Sequence, residues 1–327
     1  MKATFKIEKT HGAPNPPLRN NAASQPSLVA IDWGTSNFRA FLLNGQGDLL
    51  QKKFARQGIL RVFHSAFAKT LHKQIGDWLA QYPDIPVIMS GMIGSRQGWQ
   101  EIPYLPCPVV MSDISRNIQP IRHTERQWIV PGLRIDYPDG RVDVMRGEET
   151  QIIGALSSNP EEAQLFCLPG THSKWAAVEN GKLTYFTTYM TGELFTLLAK
   201  HSILGKLMRN TKSDTDGFLR GLEWAERDSF LLSQLFQVRT QVLADKLNLD
   251  DVYSFLSGVL IGHEIRQVLA SPLPVRKVTL IANPSIARLY AKALKKYDMH
   301  GVIKDVDQVT VRGLFKIATQ AGIMVQA

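Results

Sequence analysis

With 327 residues, 44% of them hydrophobic and 20% charged, the chain has the composition of a soluble globular protein of two domains, each able to bury a core. The net charge of +9 suits an anionic ligand, yet Lys and Arg are dispersed without a block of like charge, which argues against a nucleic-acid partner. Cys107 and Cys167 stand far apart without metal-ligand spacing, as in a reducing cytoplasm, and no apolar run reaches the ~20 residues a membrane span needs.

Residues 1–27 are rich in Asn, Pro, Ala and Ser, lack the apolar stretch of a signal peptide, and read as a disordered tail. A meander of three strands follows: Leu28–Trp33, Phe38–Leu43 and Asp48–Arg56, joined by turns at Gly34-Thr35-Ser36 and Asn44-Gly45-Gln46-Gly47. Phe63, Phe67, Leu71, Ile75, Trp78 and Leu79 keep a helical period up to Tyr82, where Pro83 and Pro86 end it. Val87-Ile88-Met89 is then a short buried strand that runs into the Gly-rich loop Ser90–Gly98. Meander, helix and parallel strand in that order are the core of an RNase-H-like fold.

After Gly140, the segment Val142–Gln151 leads into a helical stretch at Ile152–Leu156. Near Leu165 the pattern starts again, with strands Leu165–Leu168, Lys174–Val178 and Leu183–Tyr189. Helices are predicted at Glu193–Leu207, across Gly217–Leu247 with an interruption, and at Val252–Leu269. The strand Lys277–Ile281 and the helix Ser285–Tyr297 complete the repeat. The two meanders share one register, since ten residues separate Gly34 from the Asn44-Gly45 turn and ten separate Gly170 from Asn180-Gly181. The expected architecture is α/β, two duplicated RNase-H-like (actin-like ATPase) domains around a central cleft, with lobes at 28–162 and 163–327.

A Gly-Thr turn after a buried strand presents backbone amides and a hydroxyl to an anion, and glycine allows the close approach. Two such hairpins facing one cleft suit the phosphates of ATP: Gly34, Thr35 and Ser36 on one side, Gly170, Thr171, His172 and Ser173 on the other. Asp32, immediately before the first turn, is placed to hold Mg²⁺ through water. Taken alone it reads as an Asx-turn residue; the second hairpin favours the phosphate site. Leu168 stands at the matching position of the second copy, so that loop would act without a metal carboxylate.

Phosphoryl transfer to an alcohol needs a carboxylate beside the acceptor hydroxyl. Glu148 is the candidate base with Glu149 in reserve, although acidic residues in a helix's first turn are also favoured by its dipole. Loop Ser90-Gly91-Met92 follows the carboxyl end of a parallel strand, where α/β folds place ligands. Arg96, with Arg39 or Lys174, could pair with a substrate carboxylate, or each could be an ordinary solvated side chain.

These paired hairpins resemble the superfamily of sugar kinases, actin and the seventy-kilodalton heat-shock chaperones. Within it the chain is similar to the 2-dehydro-3-deoxygalactonokinases through Asp32–Ala40, Ser90–Ser95, Met145–Gln151, Leu168–Trp175 and Met190–Phe195. The resemblance implies an enzyme using ATP and Mg²⁺, and a cytoplasmic monomer or homodimer is expected. It would phosphorylate the C6 hydroxyl of the small sugar acid 2-dehydro-3-deoxy-D-galactonate, in galactonate catabolism. It also assigns the catalytic base to Gly147-Glu148, where superfamily kinases carry Gly-Asp, and the adenosine contact to Ala282 and Asn283. Superfamily members usually have glycine where Ala282 stands, so the nucleotide's affinity or pose would differ. Two rival readings are a kinase of another small sugar, and a sensor of the same fold that binds nucleotide or sugar acid without turnover. A sugar screen separates the first and a single-turnover assay the second.

Overall fold

The computed structural model describes residues 25–159, 161–209, 214–227, 230–271 and 275–324. Residues 1–24 of the expected tail lie outside the described residues, while Pro26 and Ser27 already belong to the first strand. The first half opens with β1 (Pro26–Trp33), β2 (Phe38–Asn44), β3 (Leu49–Ala55), α1 (Phe67–Gln81) and β4 (Val87–Ser90). Short elements follow: β5 (Leu105–Pro106), β6 (Val109–Val110), α2 (Met111–Arg116), β7 (Gln119–Pro120), β8 (Gln127–Ile129), β9 (Leu133–Asp136), β10 (Val142–Met145) and α3 (Glu148–Ala155). The second half begins with β11 (Gln164–Leu168), β12 (Ser173–Glu179) and β13 (Lys182–Tyr189). Helices α4 (Thr191–His201), α5 (Thr215–Ala225), α6 (Leu231–Leu243) and α7 (Val252–Leu269) come next. The chain continues through β14 (Lys277–Ile281), α8 (Pro284–Lys296), β15 (His300–Lys304) and α9 (Val306–Gln320).

One sheet has the order β3-β2-β1-β4-β8-β7 and the other β15-β14-β11-β12-β13-β6, with β10-β9-β5 as a small third sheet. In the first, β1 pairs antiparallel with β2 and parallel with β4; in the second, β11 does the same with β12 and β14. The matched turn spacing in the sequence is therefore a matched topology. Among the described residues, no helix is long and apolar enough to cross a membrane.

Strand periodicity sorts the core into layers. From β1, Val29, Ile31 and Trp33 face Phe67, Leu71, Ile75 and Trp78 of α1, the apolar stripe of that amphipathic helix. Leu28 and Ala30 point the other way, into a cluster shared with Phe166 and Leu168 of β11 and with α3 and α9. On the far side of the second sheet, Leu165 and Cys167 pack against α7 and α8. Burial raises both thiols, Cys107 to about 12, as expected for passive cysteines.

The boundary expected at residue 163 separates most of the two sheets, but β6 and α9 cross it. Strand β6 pairs with β13 at the edge of the second sheet, and α9 packs against α3 in the shared core. Helices α3 and α9 cross at glycines: a Cβ on Gly154 would strike the Val309 carbonyl, and one on Gly313 the Thr150 carbonyl. The interrupted helical stretch resolves into α5 and α6, and α4 stops at His201 with one further turn at Gly205–Leu207.

Candidate active site

The two Gly-Thr hairpins face a cleft of about 780 Å³ between the lobes. Gly34, Thr35 and Ser36 line it from one side, Gly170, Thr171 and His172 from the other, and Ala282 and Asn283 close one end. The first hairpin is held from behind. Its carbonyls at Gly34, Thr35 and Ser36 accept from the amides of Ile59, Leu60 and Gly58 at 3.0, 3.3 and 3.0 Å. The Gly34 amide donates to the Asn37 carbonyl at 3.0 Å, which leaves the amides and hydroxyls of Thr35 and Ser36 for an anion.

The second hairpin is braced by the start of α4, where the Glu193 amide donates to the Thr171 carbonyl at 2.9 Å and the Glu193 carboxylate pairs with the His172 ring. Ser173 does not reach the cleft. Its hydroxyl is buried against the Tyr290 hydroxyl at 3.0 Å. Beneath it Glu264 of α7 accepts from Tyr290 at 2.7 Å, from the Trp175 indole at 2.8 Å and from the Thr191 hydroxyl. Burial raises the Glu264 carboxyl while these donors lower it, and the network ties β12, α4, α7 and α8 together under the turn.

Asp32, one residue before the end of β1, stands directly opposite Arg39 on β2, and their side chains form an ion pair. Arg39 also reaches Asp307 of α9 at 3.4 Å, and Asp307 pairs with Lys52. Arg39 is thus engaged by two carboxylates at the cleft wall. Gly91 follows β4 at a φ of +91°, and a Cβ there would lie 2.9 Å from the Trp33 carbonyl and 3.1 Å from Oδ1 of Asp32. Gly91 and Met92 line the cleft; Ser90 is buried, its hydroxyl 3.5 Å from the Ile31 carbonyl. Arg96 is exposed and lies outside the cleft lining.

The turn Arg146-Gly147-Glu148 brings the acidic pair to the cleft, Gly147 taking a φ of +109°. Glu148 opens α3 in the cleft wall, accepting from the Arg146 amide at 3.0 Å, with its other oxygen 3.9 Å from the Lys174 ammonium on β12. That ion pair spans the two lobes. Glu149 points inward and is fully buried, accepting from the Gly147 amide at 2.7 Å and the Thr150 hydroxyl at 3.2 Å. Burial, aided by the Glu148 charge, pushes the Glu149 carboxyl up from 4.5 to about 8. The folded chain therefore holds a proton that the unfolded chain releases near pH 4.5. The stability this confers is complete below that pH and is lost as pH rises toward 8. Denaturant melts of wild type and Glu149→Gln should diverge across this window, with a slope difference approaching ~1.4 kcal/mol per pH unit.

Residues 32–317 match the family described as 2-keto-3-deoxy-galactonokinase. The chain belongs to that family. A 2-dehydro-3-deoxygalactonokinase of Escherichia coli K12 is 36% identical over 267 residues, covering 82% of this chain and 89% of the relative. The crystal structure of a Sinorhizobium meliloti protein provisionally assigned the same activity superposes with a TM-score of 0.83 at 32% identity, over 89% of this chain and 98% of the other. Component A of the Acidaminococcus fermentans (R)-2-hydroxyglutaryl-CoA dehydratase, 12% identical with a TM-score of 0.53, shares the fold alone, over 91% of this chain and all of the other.

Two features of this kinase-family site escaped sequence reasoning. A pocket of about 270 Å³ opens beside the second hairpin, walled by Gly192 and Phe195 of α4, Tyr253 of α7 and Ile286 and Leu289 of α8. Nothing local in the sequence joins those three helices. Arg146 also lines the cleft, 7% exposed, although its side chain was not among the candidates. A charged residue inside an otherwise small and acidic turn was the available signal.

Proposed function

We propose that this protein transfers the γ-phosphoryl group of ATP to the C6 hydroxyl of 2-dehydro-3-deoxy-D-galactonate, a step of galactonate catabolism. The observation that carries the reading is Glu148 standing on the cleft between two Gly-Thr hairpins, in a chain 36% identical to a kinase of that name. Gly34-Thr35-Ser36 and Gly170-Thr171-His172 hold the triphosphate through amides and hydroxyls, and the apolar pocket beside Gly192 and Phe195 takes the nucleoside. Glu148 accepts the C6 hydroxyl proton as the new O–P bond forms, and Lys174 opposite keeps that carboxylate oriented. Gly91 and Met92 form the sugar side. Closure of the lobes excludes water, which would otherwise compete with the alcohol for the phosphoryl group.

Asp32 fits a Mg²⁺ that retains water and phosphate oxygens: it offers one carboxylate at the cleft, and no cluster of three or more ligand side chains exists among the described residues. Bound with the nucleotide, the ion would neutralise phosphate charge. Asp32→Asn should lower kcat by roughly 10²-fold and raise the magnesium concentration needed for half-maximal rate. An unchanged magnesium titration would remove that assignment. The sensor reading draws on Ala282-Asn283-Pro284 and on the lack of a carboxylate at Leu168. In the fold, Asn283 caps α8 through the Ser285 amide at 3.2 Å and Pro284 opens the helix, so the segment has a structural use compatible with turnover.

The deciding experiment is ADP release measured on 2-dehydro-3-deoxy-D-galactonate and on its gluconate-derived epimer, with the phosphate located by NMR. Turnover of the galactonate-derived acid to its 6-phosphate is expected. No turnover of either acid would end the proposal.

A further inference from the structure

Arg146 is a buried cation with no ion pair among the described residues. Its side chain is 7% exposed, with Nη2 donating to the Ile102 carbonyl at 2.6 Å and the guanidinium 4.3 Å from the Tyr104 ring centroid. Nε and Nη1 are buried with no hydrogen-bond partner among the described residues. Guanidinium groups stay protonated, so both unpaired donors sit on a permanent charge.

The neighbouring acids do not neutralise it. Glu148 and Glu149 follow directly in sequence, but their oxygens fold back onto the amides of Arg146 and Gly147. Glu149, pushed up to about 8, is mostly uncharged near neutrality. The other buried or half-buried cations at the site are already paired: Arg39 with Asp32 and Asp307, and Lys174 with Glu148. Burying a charge and two donors without partners is costly, and such arrangements persist where a ligand supplies what is missing.

We infer that Arg146 receives the C1 carboxylate of the sugar acid and sets the enzyme's selectivity for acids over neutral sugars, an inference that rests on the proposed reaction. The chemistry matches, because Nε or Nη1 can join the second N–H of Nη2 in a fork onto one carboxylate, as Nε and Nη2 of Arg134 do onto Asp136. The placement matches as well. Arg146 and the proposed base are two residues apart across a tight turn, and both line the cleft. The Gly91–Gly94 turn closes over the guanidinium. A Cβ on Gly94 would lie 2.9 Å from Nη1, and one on Gly147 would lie 3.1 Å from the Gly91 Cα. That turn carries a single helical turn, Met92–Gly94, which must shift for the acid to reach the donors.

The test compares the sugar acid with the neutral analogue in which a hydroxymethyl group replaces the carboxylate. For Arg146→Gln, kcat/KM for the acid should fall roughly 100-fold. The inhibition constant of the neutral analogue and the KM for ATP should stay within three-fold. Equal losses for acid and analogue would make Arg146 a brace for the Ile102–Tyr104 segment and overturn the inference. Should the Gln variant not fold, Arg146→Lys decides: a loss confined to the acid supports the role, and an equal loss on both compounds refutes it. Wild-type enzyme inert toward the acid would instead refute the proposed reaction.

Discussion

Glu148→Gln should lower kcat by roughly 10²- to 10⁴-fold while the KM for ATP stays within a few-fold of wild type. The amide keeps the acceptor that the Arg146 backbone N–H uses at 3.0 Å, so the turn into α3 should survive. It cannot take a proton from the sugar hydroxyl, and it gives up its attraction to the Lys174 ammonium 3.9 Å away across the lobes. The neighbouring acid does not substitute for it. Glu149 is fully buried on the other side of the helix start and holds its own proton up to about pH 8. Thermal melts within a degree or two of wild type would show that the loss is chemical. Turnover within a few-fold of wild type would take the base role from Glu148.

The hairpins were legible because their signals are local. A buried strand, a Gly-Thr turn and a second strand fix a register within about a dozen residues, and period-two alternation places Val29 and Ile31 opposite Leu28 and Ala30. The same holds for α7, predicted and observed at Val252–Leu269. Strand β15 and helix α9 were missed for physical reasons. Strand β15 is a half-exposed edge at His300–Lys304 without alternation. Helix α9 carries Val309, Thr310 and Val311 together with Gly313, residues of modest helix propensity, and its stability comes from the close glycine crossing with α3. Among the site residues, side-chain direction was the missing information. Sequence placed Glu148 and Glu149 together, but only the helix start decides which of them looks into the cleft. Direction also decides the arginines: the loop residue Arg96 lies in solvent and the turn residue Arg146 inside.

A glycine of the second hairpin and a glycine of the helix that supports it should give different kinds of damage. A Cβ on Gly192 would overlap the Gly170 carbonyl and lie 3.0 Å from the Thr171 Cα, because the first turn of α4 rests directly on the phosphate hairpin. Gly192→Ala must part helix from hairpin. It should cost ~1–3 kcal/mol of stability and raise the KM for ATP at least ten-fold. A Cβ on Gly170 itself meets nothing within 4 Å, since that side of the residue is open at the cleft. Gly170→Ala should therefore fold with wild-type stability and still weaken ATP, by placing a methyl group where a phosphate approaches the backbone. The first hairpin offers the parallel case in Gly58, whose Cβ would strike the backbone of Thr35 and Ser36. Gly45→Ala is the control, its Cβ meeting nothing closer than Ser27 Oγ at 4.0 Å, and should change neither melting nor kinetics. Denaturant melts and ATP titrations on the four variants separate the contributions of support and contact. If Gly170→Ala bound ATP as wild type does while Gly192→Ala lost only stability, the hairpin would be a scaffold turn and the triphosphate would have to lie elsewhere in the cleft.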